Sequence, residues 1–129
     1  MIQCSCERYF VTQGSDAMIP SQLLKGTLEG CVLAVIRQAP AYGYEIAQKL
    51  AAYGFGQIAE GTIYPLLLRL ERSGAVRPEL RPSALGPSRK YYALTEAGER
   101  ALEEFIASYA ELSRAVDRLL ADTEKEEQP

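Results

Sequence analysis

Histidine and tryptophan are absent from this 129-residue sequence, and cysteine is rare, with three residues. Without histidine, neither a Ser-His-Asp triad, nor a Cys-His pair, nor an H-E-x-x-H metal site can form. Cys4 and Cys6 form one C-x-C pair without the second pair of ligands that a zinc site needs. Cys31 lies in the apolar stretch GCVLAVI, as a small core residue does. Carboxylate or lysine chemistry stays open, but no pair of carboxylates lies among the expected pocket residues. We therefore predict no enzyme, no metal site and no disulfide framework.

Long apolar runs are also missing from the sequence. No segment approaches the roughly 20 apolar residues of a membrane span, and the N-terminus lacks the apolar core of a signal peptide. With 47% hydrophobic and 24% charged residues, the composition is typical of one globular domain. We therefore expect a cytoplasmic protein that has no membrane partner.

One short motif resembles a cofactor-binding fingerprint. Gly54, Gly56 and Ala59 match the dinucleotide fingerprint G-x-G-x-x-A. That fingerprint must follow a β-strand, whereas AYGYEIAQKLAAY, which precedes it here, has the pattern of a helix. The sequence therefore predicts no cofactor.

Positive charge is scarce overall but concentrated in one segment. The formal net charge is −3, whereas residues 62–92 alone carry +4. A local basic face is what phosphate binding requires, and the total charge is not. An ordinary solvated arginine surface is the alternative interpretation. The six cations of this segment are Arg69, Arg72, Arg77, Arg81, Arg89 and Lys90.

The chain divides into four predicted parts. Residues 1–19 lack a sustained period and are expected to be a disordered arm, and residues 122–129 are a polar tail. Residues 20–94 begin with three short helical patterns, and a turn that contains glycines joins the last two, as in a helix-turn-helix. Two strand-like segments with turn residues between them follow, AVRPEL and RKYYALT. A helix-turn-helix followed by a hairpin predicts a mainly α winged helix-turn-helix with a small β-wing.

The third helix contains a proline within EGTIYPLLLRLERSG. Because proline is tolerated in the first turn of a helix, we expect Pro65 there and the helix to begin near Gly61 or Thr62. Thr62 and Tyr64 then lie at the end of the helix that enters the major groove in a helix-turn-helix. Arg69, further along, can reach the DNA backbone if it points outward. A core position is the alternative for Tyr64.

The last predicted helix, residues 95–121, starts at Thr95 as its cap and carries apolar residues spaced as in a coiled coil. We predict that these residues form a dimer interface; the alternative is that they pack on their own domain. The predicted interface residues are Leu102, Phe105, Tyr109, Leu112, Val116 and Leu119.

Four stretches carry a family resemblance. LLKGTLEGCVLAVI, AYGYEIAQKL, EGTIYPLLLRLERSGAV and RKYYALTEAGERAL are similar to PadR transcriptional regulators over about residues 22–120. The resemblance implies a dimeric winged-helix DNA-binding protein, in most cases a repressor, of the smaller subfamily with one C-terminal helix. It implies DNA roles for Thr62 and Tyr64, and phosphate contacts from the wing through Arg89, Lys90 and Tyr91. It also implies backbone contacts from Tyr44 and Lys49.

The predicted function is a homodimeric repressor that binds a palindromic double-stranded DNA operator. A second hypothesis is a sensor of a hydrophobic small molecule, such as a drug or a phenolic compound, bound between subunits. Drug-binding relatives stack planar ligands on a tryptophan, which this chain lacks, and Phe105 and Tyr109 are its candidates for that role. A third hypothesis, motivated by the overall acidity, is a dimeric adaptor that does not bind DNA.

Overall fold

The computed structural model describes residues 19–127, with side chains through Thr123. The predicted arm, apart from Ile19, lies outside the described residues, together with Cys4 and Cys6. The predicted mainly α winged helix-turn-helix is confirmed. Its helices are α1 (Ser21–Leu24), α2 (Leu28–Gln38), α3 (Gly43–Leu50), α4 (Glu60–Arg72) and α5 (Glu96–Glu127). Its strands are β1 (Ala41–Tyr42), β2 (Val76–Ser83) and β3 (Gly86–Leu94).

The first predicted helix is broken into two, α1 and α2. Gly26 is a poor helix former, and the hydroxyl of Thr27 donates a hydrogen bond to the carbonyl of Leu24 at 3.2 Å. This local hydrogen bond competes with the helical pattern, so the chain turns before α2 begins. The prediction of one continuous helix is therefore wrong at this point.

The core lies where α2, α3 and α4 meet the inner face of the wing. Ile36 on α2, Ile46 on α3 and Leu67 on α4 are fully buried, as the helical periodicity of the three patterns predicts. Tyr92 on β3 closes the core from the sheet. Burial of these apolar faces holds the helix-turn-helix and the wing together in one unit.

The turn between α3 and α4 depends on glycine. Beyond Leu50 the helix widens into a π-helical segment, Ala51–Phe55, in which Gly54 adopts a φ of +108°. Gly56 follows with a φ of +81°. Because side chains with a Cβ rarely adopt these angles, the two glycines end α3 and redirect the chain toward α4.

Pro65 lies in the second turn of α4, not in the first turn as predicted. The helix begins at Glu60, so the proline ring replaces the N–H that would have bonded to the carbonyl of Gly61. Both Gly61 and Pro65 are exposed. The proline is tolerated because the interruption lies on the outer face of the helix.

The wing is a three-stranded antiparallel sheet in the order β1-β3-β2. The short strand β1, which the sequence did not predict, pairs Tyr42 with Tyr91. Strands β2 and β3 extend through most of the predicted long tip, since Ser83 pairs with Gly86 and only two residues connect them. The prediction of a hairpin with a long tip is therefore wrong, and the strands of the wing are longer and more regular.

Helix α5 begins at the predicted cap and continues to Glu127, beyond the predicted end at Ala121. The hydroxyl of Thr95 accepts a hydrogen bond from the N–H of Gly98 at 3.0 Å. The first turns of α5 pack on α2, and Leu102 is 0% exposed within its own chain. Leu102 is therefore a core residue, and its assignment to the dimer interface is wrong.

Further along α5 the predicted stripe is open to solvent. The exposed residues of the stripe are Tyr109, Leu112, Val116 and Leu119. Phe105 is half-buried, because its ring lies directly on Gly30 of α2, where a Cβ would overlap it. None of the helices within residues 19–127 is both long enough and apolar enough to span a membrane.

Candidate nucleic-acid interface

A groove of about 560 Å³ opens between the starts of α3 and α4 and the strand β3. Four of the eight residues predicted to contact DNA line it: Tyr44, Tyr64, Arg89 and Lys90. The groove therefore brings together residues from the helix-turn-helix and the wing that lie far apart in the sequence. Its other lining residues are Tyr42, Gly43, Glu60 and Tyr92.

Tyr64 is positioned by a glycine on the neighbouring helix. A Cβ built on Gly43 would lie 2.6 Å from a ring carbon of Tyr64, so the ring fills the space that a side chain would otherwise occupy. Tyr64 is 46% exposed and is therefore not the core aromatic of the alternative interpretation. One side of the ring rests on α3, and the remainder of the side chain faces solvent and the groove.

Lys90 is paired within its own chain. Its ammonium lies 3.2 Å from Oε1 of Glu71 on α4 and 5.7 Å from the centre of the Tyr92 ring. This ion pair with Glu71 raises the pKa of Lys90 above its usual value. Burial raises the pKa of Tyr92, which keeps that phenol neutral. The negative charge of Glu71 offsets part of the positive charge that Lys90 presents to a phosphate.

Arg89 and Tyr91 lie on the outer face of the wing. The guanidinium of Arg89 stacks on the ring of Tyr42 at 4.6 Å, and that of Arg81 stacks on Tyr91 at 4.5 Å. Arg81 also pairs with Glu79 at 3.0 Å, whereas Arg89 forms no salt bridge with any of the side chains described between residues 19 and 123. Arg89 is therefore the wing cation with its charge most available to a phosphate.

Arg69 and Thr62 lie on the other flank of α4. Both line a second cavity of about 670 Å³ that is bounded by α1 and the start of α2. Arg69 points toward Glu29, with 3.8 Å between its Nε and the carboxylate. The six-cation segment is therefore not one basic face, because Arg69 is separated from Arg89 and Lys90 by the width of α4, the recognition helix of the helix-turn-helix.

The two residues predicted on α3 differ in exposure. Tyr44 is exposed, and its hydroxyl accepts a hydrogen bond from Nε2 of Gln48 at 3.1 Å. Lys49 is half-buried, and it does not line the groove with Tyr44. Tyr44 is thus placed beside Tyr64 at the mouth of the groove, and Lys49 lies further along the helix.

Sequence reasoning missed the outward face of α4. Leu68 and Arg72 are exposed, and with Gly61 and Pro65 they follow the spacing of one helical face. Glu60 at the helix start also faces the groove, where its carboxylate can accept a hydrogen bond from the amino group of a cytosine. The sequence could have identified Arg72, because Arg72 lies seven residues after Pro65 and residues seven apart share one face of a helix.

A basic, tyrosine-lined groove beside an exposed recognition helix and a wing is the arrangement of a DNA-binding protein. Comparison with known families supports this interpretation, since the model of the transcriptional regulator PadR-like family matches residues 32–104. The chain belongs to the PadR-like family. PadR-like proteins are transcriptional regulators and not enzymes, so the expected class of function is confirmed.

Solved structures of other PadR-like proteins share the fold. A PadR-like transcriptional regulator from Bacillus cereus is 48% identical, with a TM-score of 0.70, and the match covers 77% of this chain and 96% of that one. A PadR family regulator from Eggerthella lenta is 39% identical, with a TM-score of 0.69, over 77% and 86% of the two chains. The transcriptional regulator Rv3488 of Mycobacterium tuberculosis is 37% identical over 58% of this chain and 68% of its own.

The PadR assignment makes this chain a DNA-binding transcriptional regulator with a winged helix-turn-helix. The part of the chain that the structure describes holds no group of three or more acidic, cysteine or histidine side chains that could bind a metal ion.

Proposed function

We propose that this PadR-like regulator is a homodimeric repressor of a nearby gene and binds a palindromic operator. The observation that carries the proposal is the groove in which Tyr44 and Tyr64 of the helix-turn-helix meet Arg89 and Lys90 of the wing. Tyrosine hydroxyls and cations on one surface can bind the phosphates of DNA and the base edges beside them. Localisation in the cytoplasm follows from this role.

Base contacts are assigned to the start of α4. Thr62 offers a hydroxyl and a methyl group, and Tyr64 offers a phenol, on opposite flanks of a helix end that fits the major groove. Thr62 and Tyr64 are both exposed. A base-pair change opposite either side chain is therefore expected to reduce specific binding more than non-specific binding.

Phosphate contacts are assigned to Arg89 and Lys90, with Tyr91, Tyr44 and Lys49 as supporting contacts. Arg89 carries most of this role, because Lys90 is held by Glu71 and Tyr91 lies under Arg81. Arg69 is assigned to a backbone contact on the far flank of α4, beyond its weak pairing with Glu29. These contacts fix the register of the protein on the duplex without reading its sequence.

Glu71 is expected to limit the affinity for DNA. Replacing Glu71 by glutamine removes the carboxylate that holds Lys90, so we expect binding to the operator to tighten about two- to fivefold at low salt. Fluorescence anisotropy with labelled operator measures the change. Glu103→Gln is the matched control, because Glu103 pairs with Arg37 at the same 3.2 Å and neither residue lines the groove. Weaker binding by Glu71→Gln would mean that Glu71 holds Lys90 in its DNA-contacting position.

Dimerisation is assigned to the exposed stripe of α5. Leu112 is 58% exposed, and Tyr109, Val116 and Leu119 continue the same apolar face. A second copy is a self-complementary partner for such a face. Two recognition helices in one dimer would read half-sites about 34 Å apart, which is one turn of DNA, or a multiple of that distance.

Footprinting on the DNA upstream of the gene, combined with the mass of the complex, tests the proposal. We expect two protected half-sites in inverted orientation and one dimer bound to each operator. Protection of a single half-site by a monomer would overturn both the dimer and the palindrome. Transcription that rises when the operator is bound would overturn the assignment as a repressor.

A hydrophobic effector at the dimer interface is the second candidate function. The rings of Phe105 and Tyr109 stack with centroids 5.9 Å apart, at the point where α5 leaves the domain and its apolar face becomes exposed. A flat apolar molecule could add to this stack if the partner helix covers it. A thermal-shift screen with apolar compounds tests the candidate, and the absence of stabilisation by any of them would count against it.

The separation of Arg69 from the wing cations is the observation that favours the third hypothesis, a dimeric adaptor without DNA binding. The groove still joins Arg89 and Lys90 with Tyr64 on the recognition helix, so the basic wing and the helix start share one surface. Binding to the operator no tighter than to random DNA, together with an intact dimer, would support the adaptor.

A further inference from the structure

The tip of the wing carries a leucine whose side chain is exposed to solvent. Leu85 is 99% exposed, at the apex of the two-residue connection between β2 and β3. A leucine so placed adds nothing to the core, and polar or glycine residues are the usual choice at such a position. Arg81 and Arg89 pair across the strands four residues from Leu85, and their guanidinium groups lie over the rings of Tyr91 and Tyr42.

Two prolines restrict the backbone of the wing tip. Pro82 and Pro87 stand on either side of the connection and fix their own φ angles. The pairing register is irregular between Arg81 and Ser83, which places Pro82 outside the ladder where its missing N–H costs nothing. An apolar tip that is ordered before binding loses little conformational freedom when it enters a binding site.

The length of the wing matches the spacing of the DNA grooves. Lys90 lies beside the recognition helix, and Leu85 is five residue steps away from it along β3, which gives a reach of roughly 16 Å. Half a turn of DNA, the distance from one groove to the next, is about 17 Å. With α4 in the major groove, the tip of the wing reaches the adjacent minor groove.

We propose that Leu85 enters the minor groove beside each half-site as an apolar wedge. Apolar side chains that enter a minor groove partly unstack a base step, so the sequence preference there follows the deformability of the step and not its hydrogen bonds. Leu85 is thus a specificity-determining residue for the flanks of the operator, where flexible pyrimidine–purine steps are favoured. This inference rests on the proposed operator binding.

The test compares Leu85→Ala with the unchanged chain on the operator and on operators whose flanking steps are replaced by stiff A-tracts. We expect the substitution to weaken operator binding roughly tenfold, to leave the salt slope unchanged and to abolish the preference for flexible flanks. Fluorescence of 2-aminopurine placed at the flanking step should rise when the unchanged protein binds and should not rise with Leu85→Ala.

Leu23→Ala is the matched control, because Leu23 on α1 is also highly exposed and lies outside the wing. If the unchanged protein binds the operator and Leu85→Ala binds it equally well, the wedge is wrong and the proposed function stands. If the unchanged protein does not bind its operator specifically, both fail. If Leu85→Ala alters only the sedimentation of the protein without DNA, the tip contacts a protein and the wedge is also wrong.

Discussion

Replacing both Arg89 and Lys90 by alanine is expected to weaken operator binding by roughly 100-fold near physiological salt. Each phosphate contact contributes about 0.9 to the slope of log K against log salt, and a dimer would lose two cations from each wing. The slope should therefore become shallower by about 3 to 4. Binding isotherms at five or more salt concentrations measure both quantities. Neither side chain is buried, so the fold should be unaffected.

The matched control for this variant removes two cations from α5, as Arg100→Ala with Arg118→Ala. Both arginines are exposed and lie on the C-terminal helix, away from the groove. The control should keep the affinity and the slope of the unchanged protein within about twofold. A slope that does not change when Arg89 and Lys90 are removed would show that the wing makes no phosphate contact.

Leu102→Ala is expected to lower the free energy of unfolding by about 2 to 5 kcal/mol, as other fully buried leucines do. Its side chain packs between the first turns of α5 and α2, so the substitution leaves a cavity inside each chain. Urea denaturation monitored by circular dichroism measures the loss. Because the cavity is internal, the loss should persist when the protein is diluted.

Leu112→Ala is the comparison variant on the same helix. Leu112 is exposed in the single chain, so its truncation should weaken the dimer and leave the stability of the diluted chain within about 0.5 kcal/mol. Analytical ultracentrifugation measures the dimer. If Leu102→Ala instead changed only the dimer dissociation constant, Leu102 would belong to the interface and its burial within one chain would be misleading.

Local patterns predicted the elements that position the site. The helical spacing of Ile46, Leu67 and Leu70 identified the inner faces of α3 and α4, and Thr95 identified the start of α5. These features depend on neighbours within one or two turns, which a sequence contains directly. Fold class and family could be predicted from such patterns together with the family resemblance.

Contacts between distant segments could not be predicted in the same way. Leu102 continues the coiled-coil spacing of its helix, and only the packing of α5 against α2 removes it from the exposed stripe. Lys90 and Glu71 are separated by 19 positions, and their salt bridge arises because β3 crosses beside the end of α4. The effect of Glu71 on Lys90 as a phosphate ligand could therefore be recognised only from the fold.

The predicted position of Pro65 was wrong because the predicted start of α4 was slightly too late. The rule that proline favours the first turn led to a helix start near Thr62, whereas the helix begins at Glu60. Helix ends are the least certain part of a sequence pattern, and a shift of two residues moved the proline into the second turn. The inference that Thr62 and Tyr64 are exposed near the helix start is unaffected, since both side chains are exposed.

The central claim, sequence-specific binding of DNA by the groove and its wing, is tested most directly by a salt titration of binding. The purified full chain is titrated onto the DNA upstream of its gene and onto random DNA of equal length. We predict binding to the upstream DNA at least 1,000-fold tighter than to random DNA, on the order found for specific regulators, with an affinity that falls steeply as salt rises. Equal and weak binding to the two DNAs at every salt concentration would contradict the claim.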